Sequence, residues 1–121
     1  MTLDTPTIYI AGPMRGIDAY NFPAFDRCSD RLSSQGWIVI NPADIDRAEG
    51  SIDTDPHQFN PSDNNDDHLF MRKAVARDIA VICERCTAIY MLSGWQHSDG
   101  AQAEHAAALA IGIEIHYENP K

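Results

Sequence analysis

Short runs rich in β-branched residues alternate with segments of helical periodicity along most of the chain, and this alternation constrains the fold more than any other feature. The runs predict strands at 7–11, 37–40, 87–92 and 113–117. Helical periodicity lies between them, at 22–32, 68–85 and 100–111. Strands that alternate with helices form a parallel sheet with right-handed crossovers. We therefore expect an α/β three-layer sandwich with a mainly parallel sheet of four to five strands.

The length of 121 residues, with 44% hydrophobic, is typical of one domain, which we expect to span 1–121. The polar segment 43–67 is expected to be irregular or to hold only short helices, and to border a cleft. Parallel sheets place ligands at the carboxyl ends of their strands. Segments 12–16, 41–44 and 93–104 are therefore the candidates for a site.

Charge and hydropathy exclude several classes of partner. Eighteen acidic residues against nine basic ones give a net charge of −9, without any run of Lys or Arg. Such a chain repels polyanions, so no nucleic acid polymer is expected as a partner. No apolar stretch approaches the roughly 20 residues that span a bilayer, and the first residues lack the pattern of a signal peptide. We expect a cytoplasmic protein with no membrane contact.

Cysteine and histidine spacing favours neither a metal nor a redox site. Cys83 and Cys86 form a lone C-x-x-C late in a predicted helix, and we interpret them as partly buried thiols. The five histidines show no metal-ligand spacing. We therefore predict no metal and no cofactor.

Two acidic residues interrupt helix faces that should be apolar. Asp78 falls near the middle of a stripe formed by Met71, Ala74, Val75, Ile79 and Ile82. A carboxylate there must be paired, hydrogen-bonded or protonated, and periodicity alone does not separate a catalytic acid from a structural one. Glu104 is expected at the edge of a stripe of alanines, where an acid that complements the helix dipole is the simpler interpretation. The alanines are Ala103, Ala106, Ala107 and Ala110.

Two turns are candidate ligand contacts. The turn Gly12-Pro13-Met14-Arg15-Gly16 follows the first predicted strand and allows a close backbone approach, and Arg15 adds a cation. It matches neither a Walker loop nor G-x-G-x-x-G. The turn Ser98-Asp99-Gly100 precedes the third predicted helix, whose free N–H groups attract anions. Asp99 is also suited to cap that helix, and capping is compatible with phosphate binding by Ser98.

Together these residues resemble the nucleoside 2-deoxyribosyltransferase superfamily, including its nucleotide N-hydrolase branch, over nearly the whole chain except 43–67. Three motifs carry the resemblance, in order: Tyr9-Ile10-Ala11-Gly12-Pro13, Arg77-Asp78-Ile79-Ala80 and Ser98-Asp99-Gly100-Ala101-Gln102-Ala103-Glu104. The opening Ala-Gly-Pro-Met-Arg-Gly is similar to that of the small transferase-like members. The resemblance implies a flavodoxin- or Rossmann-like sandwich.

The resemblance also implies cleavage of the N-glycosidic bond between a base and a (deoxy)ribose. Glu104 matches the nucleophile that forms a glycosyl-enzyme intermediate, as in a retaining glycosidase. Asp78 matches the acid near the sugar and the base, and Tyr9 matches the residue whose hydroxyl holds the glutamate. Two acids in one cleft split their pKa values, which suits an ionised Glu104 beside a partly protonated Asp78.

The residue at position 98 indicates which branch of the superfamily the chain resembles. Nucleoside transferases usually carry Asp there, whereas Ser98 resembles the branch that accepts nucleoside 5′-monophosphates. Ser98, Arg15 and the N-terminus of the third predicted helix, with Gly100, would then cradle the phosphate. Hydrolysis of a monophosphate is favoured. A nucleoside 2-deoxyribosyltransferase that exchanges bases and a nucleotide-binding or sensing module without turnover are the alternatives.

Further contacts are expected from a turn and from the tail. Trp95 is a candidate to stack on the base, although packing is the simpler interpretation of a tryptophan in a turn. Family members complete each site with residues of a neighbouring subunit. We therefore expect a homodimer or a larger homo-oligomer, in which Asn119 is the best candidate to reach across. The sequence does not identify the base or distinguish ribose from deoxyribose.

Overall fold

A computed structural model describes residues 6–14, 17–49 and 65–118. Over these residues the strands are β1 (Thr7–Ala11), β2 (Ile38–Ile40), β3 (Ala88–Met91) and β4 (Glu114–Tyr117). The α-helices are α1 (Phe22–Ser34), α2 (Pro42–Glu49), α3 (Asn65–Arg85) and α4 (Asp99–Ile111). Short 3-10 turns occupy Asp18–Asn21 and Trp95–His97.

The strands form a single parallel sheet in the order β2-β1-β3-β4. Tyr9 in the middle of β1 pairs with Ile40 on one side and with Ile89 on the other. From β1 the chain crosses to β2 on one side of β1, and it then crosses to β3 on the other side of β1. In such sheets ligands bind where the order reverses, which here lies between the carboxyl ends of β1 and β3. The predicted α/β fold with a parallel sheet is confirmed.

Side chains of β1 alternate between two cores, because successive residues of a strand face opposite sides of the sheet. Ile8 and Ile10 pack against α1, with Phe25, Cys28 and Leu32. Tyr9 and Ala11 face the other way, into a core that α3 and α4 complete with Ile82, Ala101 and Ala108. Helices therefore cover both faces of the sheet, which gives the expected three layers.

The polar segment predicted at 43–67 contains a short helix, α2, in its described part, and residues 50–64 lie outside the described residues. Asn41 caps α2, since its Oδ1 accepts a hydrogen bond from the backbone N–H of Ala43 at 3.0 Å. The Asn41 amide also donates to Asp26 on α1 at 3.1 Å, and Arg47 on α2 forms an ion pair with Asp26 at 2.7 Å. These contacts bind α2 to α1. The third helix begins at Asn65, slightly before the predicted start.

Gly12 directly follows β1, and it lies next to Leu92, which directly follows β3. The backbone N–H of Leu92 donates to the carbonyl of Ala11 at 2.8 Å, which holds the two chains together there. A Cβ on Gly12 would lie 2.7 Å from the Cβ of buried Leu92, closer than carbon atoms approach. The close packing of the two strand ends therefore depends on the missing side chain at position 12.

We expect Gly12→Ala to destabilise the protein by about 1–3 kcal/mol, because the added methyl group forces Leu92 or the strand ends to move. Gly100→Ala is the matched control, since no atom lies within 4 Å of the Cβ it would add. That variant should be neutral or slightly more stable than the wild type. Urea denaturation measures both, and equal stability of the two variants would contradict the packing argument.

Candidate active site

Tyr9, Asp78 and Glu104 come together in the core between β1, α3 and α4. Tyr9 is fully buried, and Asp78 and Glu104 retain only 8% and 7% of their exposure. The Tyr9 hydroxyl donates to Oε2 of Glu104 at 3.0 Å. Asp78 lies close enough to Tyr9 and Glu104 to influence the protonation of both. Three residues that lie far apart in the sequence thus form one buried polar cluster, in which no described buried side-chain atom lacks a hydrogen-bond partner.

The helices bring the two acids together through their buried faces. Asp78 lies one turn before fully buried Ile82 on α3, within the stripe that the sequence predicts. On α4 the buried residues are Ala101, Glu104 and Ala108. The expectation that Glu104 lies at the edge of its stripe is therefore wrong. Ala106 and Ala110 are exposed, because the helix is rotated so that Glu104 faces Tyr9.

Arg77 adds a cation to the cluster, a contact that the sequence analysis did not assign. Its Nε and Nη2 atoms both lie 2.8 Å from Oδ1 of Asp78. The Arg77 side chain is largely buried, with 19% exposure. The sequence shows only that Arg77 and Asp78 are adjacent. Neighbouring residues on a helix normally point in different directions, so this adjacency does not by itself predict an ion pair.

Burial dominates the electrostatics of the cluster. Desolvation, reinforced by the negative charge of Asp78, raises the pKa of Glu104 well above its ordinary value. Burial also raises the pKa of Asp78, but the Arg77 guanidinium opposes that rise. Burial and both carboxyl groups raise the pKa of the Tyr9 hydroxyl well above its ordinary value. Burial thus favours the protonated form of both acids, and only Asp78 has a guanidinium at 2.8 Å that favours its ionised form, whereas the sequence analysis expects an ionised Glu104 beside a partly protonated Asp78.

Ser98 and Gly100 lie at the N-terminus of α4, before Glu104. Ser98 is the N-cap, and its hydroxyl accepts a hydrogen bond from the backbone N–H of Ala101 at 3.2 Å. Asp99 is the first residue of the helix and does not act as its cap. Ser98, Ala101 and Glu104 follow each other at three-residue spacing, which places them along one side of the helix. Ser98, at the N-terminus of α4, therefore lies on the same side of the helix as Glu104.

The backbone after β1 is held by an unusual turn. Gly12, Pro13 and Met14 are partly buried, and the carbonyl of Pro13 accepts a hydrogen bond from the Asn21 side-chain amide at 2.9 Å. Asn21 and the two residues before it have left-handed φ values, of 54°, 53° and 61° along the chain. Strained backbone of this kind is concentrated at functional sites. The sequence analysis missed Asn21, a residue that tolerates this conformation.

Trp95 packs among aromatic side chains. Its indole stacks on the imidazole of His105 with ring centroids 4.2 Å apart, and the Tyr117 hydroxyl lies 2.8 Å from Nε2 of His105. Trp95 also packs against the core that contains Tyr9. One face of the indole is therefore covered by His105 rather than open to a base. The remaining candidates Arg15, Gly16 and Asn119 lie outside the described residues.

The described ranges contain no group of three or more His, Cys, Asp or Glu side chains arranged to hold a metal ion. Cys28 and Cys86 are buried and Cys83 is exposed, and all three are free thiols. None of the helices described is both long and apolar enough to cross a membrane.

Residues 6–117 match the family described as a domain of unknown function, DUF4406, and the chain belongs to this family. The match covers all the strands and α-helices of the sheet sandwich and every member of the buried cluster. No curated protein and no solved structure matches the chain.

The raised pKa of Glu104 predicts how stability varies with pH. The folded protein keeps a proton that the unfolded chain releases above the ordinary value of 4.5. The stability that this group contributes is complete below that pH and is lost as the pH rises towards the raised pKa. Relative to Glu104→Gln, the wild type should lose up to about 1.4 kcal/mol per pH unit within that window.

Denaturation curves measured at several pH values test this prediction. Glu84→Gln on the exposed side of α3 is the control, because it removes one acidic group without touching the cluster. Its stability should vary with pH in parallel with that of the wild type. If the Glu104→Gln curve also runs parallel to the wild-type curve, the buried carboxyl group does not retain its proton.

Proposed function

We propose that this protein cleaves the N-glycosidic bond of a (deoxy)nucleoside 5′-monophosphate and releases the free base, as a cytoplasmic enzyme of nucleotide metabolism. The observation that supports this is the buried contact between Tyr9, Asp78 and Glu104, with the tyrosine hydroxyl 3.0 Å from the glutamate. Burying two carboxyl groups in contact is unfavourable for folding. A module that only binds nucleotides needs neither acid, so their retention favours catalysis over binding.

Each member of the cluster has a distinct role in the proposed reaction. Glu104 in its ionised form attacks the anomeric carbon and forms a glycosyl ester. Tyr9 holds Oε2 of Glu104, which leaves Oε1 as the attacking atom. Asp78 donates a proton to the departing base. Water then hydrolyses the ester, as in a retaining glycosidase, and a second base in place of water would make the enzyme a transferase.

The N-terminus of α4 is the proposed phosphate site. Ser98, Gly100 and the free N–H groups of the first helical turn favour an anion there. Arg15 and Gly16 follow the segment Gly12–Met14 that begins at the sheet switch point, and we assign Arg15 to the phosphate as well. An acidic protein needs such a local positive site to bind an anionic substrate. We assign Trp95 to packing beside the site, and Asn119 to the site of a neighbouring subunit.

We expect Glu104→Ala and Glu104→Gln to reduce base release by about 10³-fold or more, because neither side chain can act as the nucleophile. Asp78→Asn should also reduce turnover, because an amide cannot act as the general acid that protonates the departing base. A panel of nucleosides and 5′-monophosphates, with free base separated by chromatography, provides the measurement. Glu84→Gln controls for the loss of an acidic residue, and circular dichroism confirms that each variant is folded.

Base release by Glu104→Ala at the wild-type rate would exclude the proposed mechanism. Adding a second free base to the same reactions separates hydrolysis from transfer, because only a transferase forms a new nucleotide with that base.

The phosphate assignment predicts a selective effect at position 98. Ser98→Asp keeps a side chain that can cap α4 but adds a negative charge. It should raise KM for monophosphates about tenfold or more without lowering any nucleoside activity, the pattern of lost ground-state binding to one group. Arg15→Ala should have the same selectivity. Equal losses on nucleosides and monophosphates in either variant would show that the phosphate is bound elsewhere.

We also propose that the protein forms at least a homodimer through α3 and α4. α4 carries two apolar side chains with high exposure, Leu109 at 61% and Ile111 at 43%. Light scattering at micromolar concentration should give at least twice the monomer mass, and Leu109→Glu should reduce it to the monomer. A wild-type protein that is monomeric at that concentration would contradict this assignment.

A further inference from the structure

Arg77 is the one cation that faces the buried acids among the described residues that contact them. Its Nε and Nη2 atoms both lie 2.8 Å from Oδ1 of Asp78. Among the described residues, Tyr9 from β1 is the other titratable group near the pair. Ile89 and Met91 of β3 belong to the same core as Tyr9 and are apolar. The two acids, the tyrosine and Arg77 therefore form an electrostatic unit with apolar residues of β3 on one side.

The burial of Asp78 and Glu104 near each other favours one shared proton. Two ionised carboxylates in a buried site repel each other, so the pair is more stable when one member is protonated. A guanidinium paired with an oxygen of Asp78 stabilises the ionised form of Asp78. Among the described residues Glu104 has no such ion pair, and the Tyr9 hydroxyl is its hydrogen-bond donor. The ion pair of Asp78 therefore favours Glu104 as the site of the proton.

We propose that Arg77 is a positioning residue that fixes the Asp78 carboxylate as the acceptor of this pair, so that the proton stored on Glu104 is the one later delivered to the leaving base. The storage of the proton follows from the structure of the free protein, and its delivery rests on the proposed function.

The proton and electron pairs balance over one turnover. When substrate enters, the O–H bond of Glu104 breaks and an O–H bond forms on Asp78. The ionised Glu104 forms a bond to the anomeric carbon while the bond from that carbon to the base nitrogen breaks. Its electron pair goes to the base, which takes the proton from Asp78. Asp78 is then again a carboxylate paired with Arg77.

The second half of the reaction restores the resting state. Asp78 accepts a proton from the attacking water, whose oxygen bonds to the anomeric carbon. The ester bond breaks and its electron pair returns to Glu104. The proton on Asp78 then passes back to Glu104, because Arg77 favours the ionised form of Asp78. One proton taken up from water replaces the proton that left with the base.

The pH profile of kcat/KM tests the role of Arg77. Without the guanidinium, the acid pair retains protons to higher pH, so Arg77→Gln should move both limbs of the profile upward by about one pH unit or more. Arg77→Lys keeps a cation and should remain closer to the wild type. Arg72→Gln, an exposed change on the same helix, should not move the profile. If Arg77→Gln lowers kcat/KM equally at every pH without shifting the profile, Arg77 has only a structural role and the proposal is overturned.

Infrared spectroscopy of the free protein gives a readout that needs no substrate. Near neutral pH the wild type should show the carbonyl stretch of a protonated carboxyl group, and Glu104→Gln should lack it. Arg77→Gln should show a stronger band than the wild type. A band that persists in Glu104→Gln, or a wild type without one, overturns the assignment of the proton.

The two experiments separate the two claims. If the infrared bands behave as expected but no substrate releases its base, the proposed function fails while the resting proton on Glu104 stands. If base is released but the band belongs to Asp78, the function stands and the role of Arg77 falls.

Discussion

The burial of two carboxyl groups in contact is the constraint on which the rest of the structure depends. Tyr9, Asp78 and Glu104 are almost completely removed from solvent, and a bare pair of charges in such a place would cost several kcal/mol. Two features offset this cost. Arg77 pairs with the charge on Asp78, and burial raises the pKa of Glu104, which favours its neutral form. A cluster of this kind is poised for proton transfer, because small changes around it redistribute one proton between two acceptors.

The sheet topology decides where this cluster lies. β1 is central, and every residue from Thr7 to Ala11 is buried. Because side chains alternate along a strand, Tyr9 is directed into the core formed by α3 and α4, while Ile8 and Ile10 support it from the α1 side. The crossover from β2 to β3 places α3 on that face, and the crossover from β3 to β4 places α4 beside it. The crossover from β2 to β3 also creates the switch point between the ends of β1 and β3, where Gly12 lies.

Different kinds of contact stabilise the strand ends and the buried cluster. At the strand ends, backbone contacts dominate: Gly12 against Leu92, and the left-handed turn before α1 that binds the Pro13 carbonyl through Asn21. In the core, side-chain contacts dominate, through the hydrogen bond of Tyr9 and the ion pair of Arg77. Left-handed residues cost about 1–2 kcal/mol each outside glycine, so this protein stores conformational strain in the turn before α1.

The sequence alone determined the alternation of strands and helices and hence the parallel sheet, because local periodicity specifies each element. Tyr9, Asp78 and Glu104 were grouped by a family resemblance rather than by periodicity. Only the tertiary structure decided the rotation of α4, which moves Glu104 from the edge of a stripe of alanines to the centre of the buried face. It also brought Arg77 onto Asp78 and stacked His105 on Trp95, and the burial it imposes raises the pKa of Glu104. Burial and charge pairing depend on the residues that packing brings from distant parts of the chain, and no local pattern specifies them.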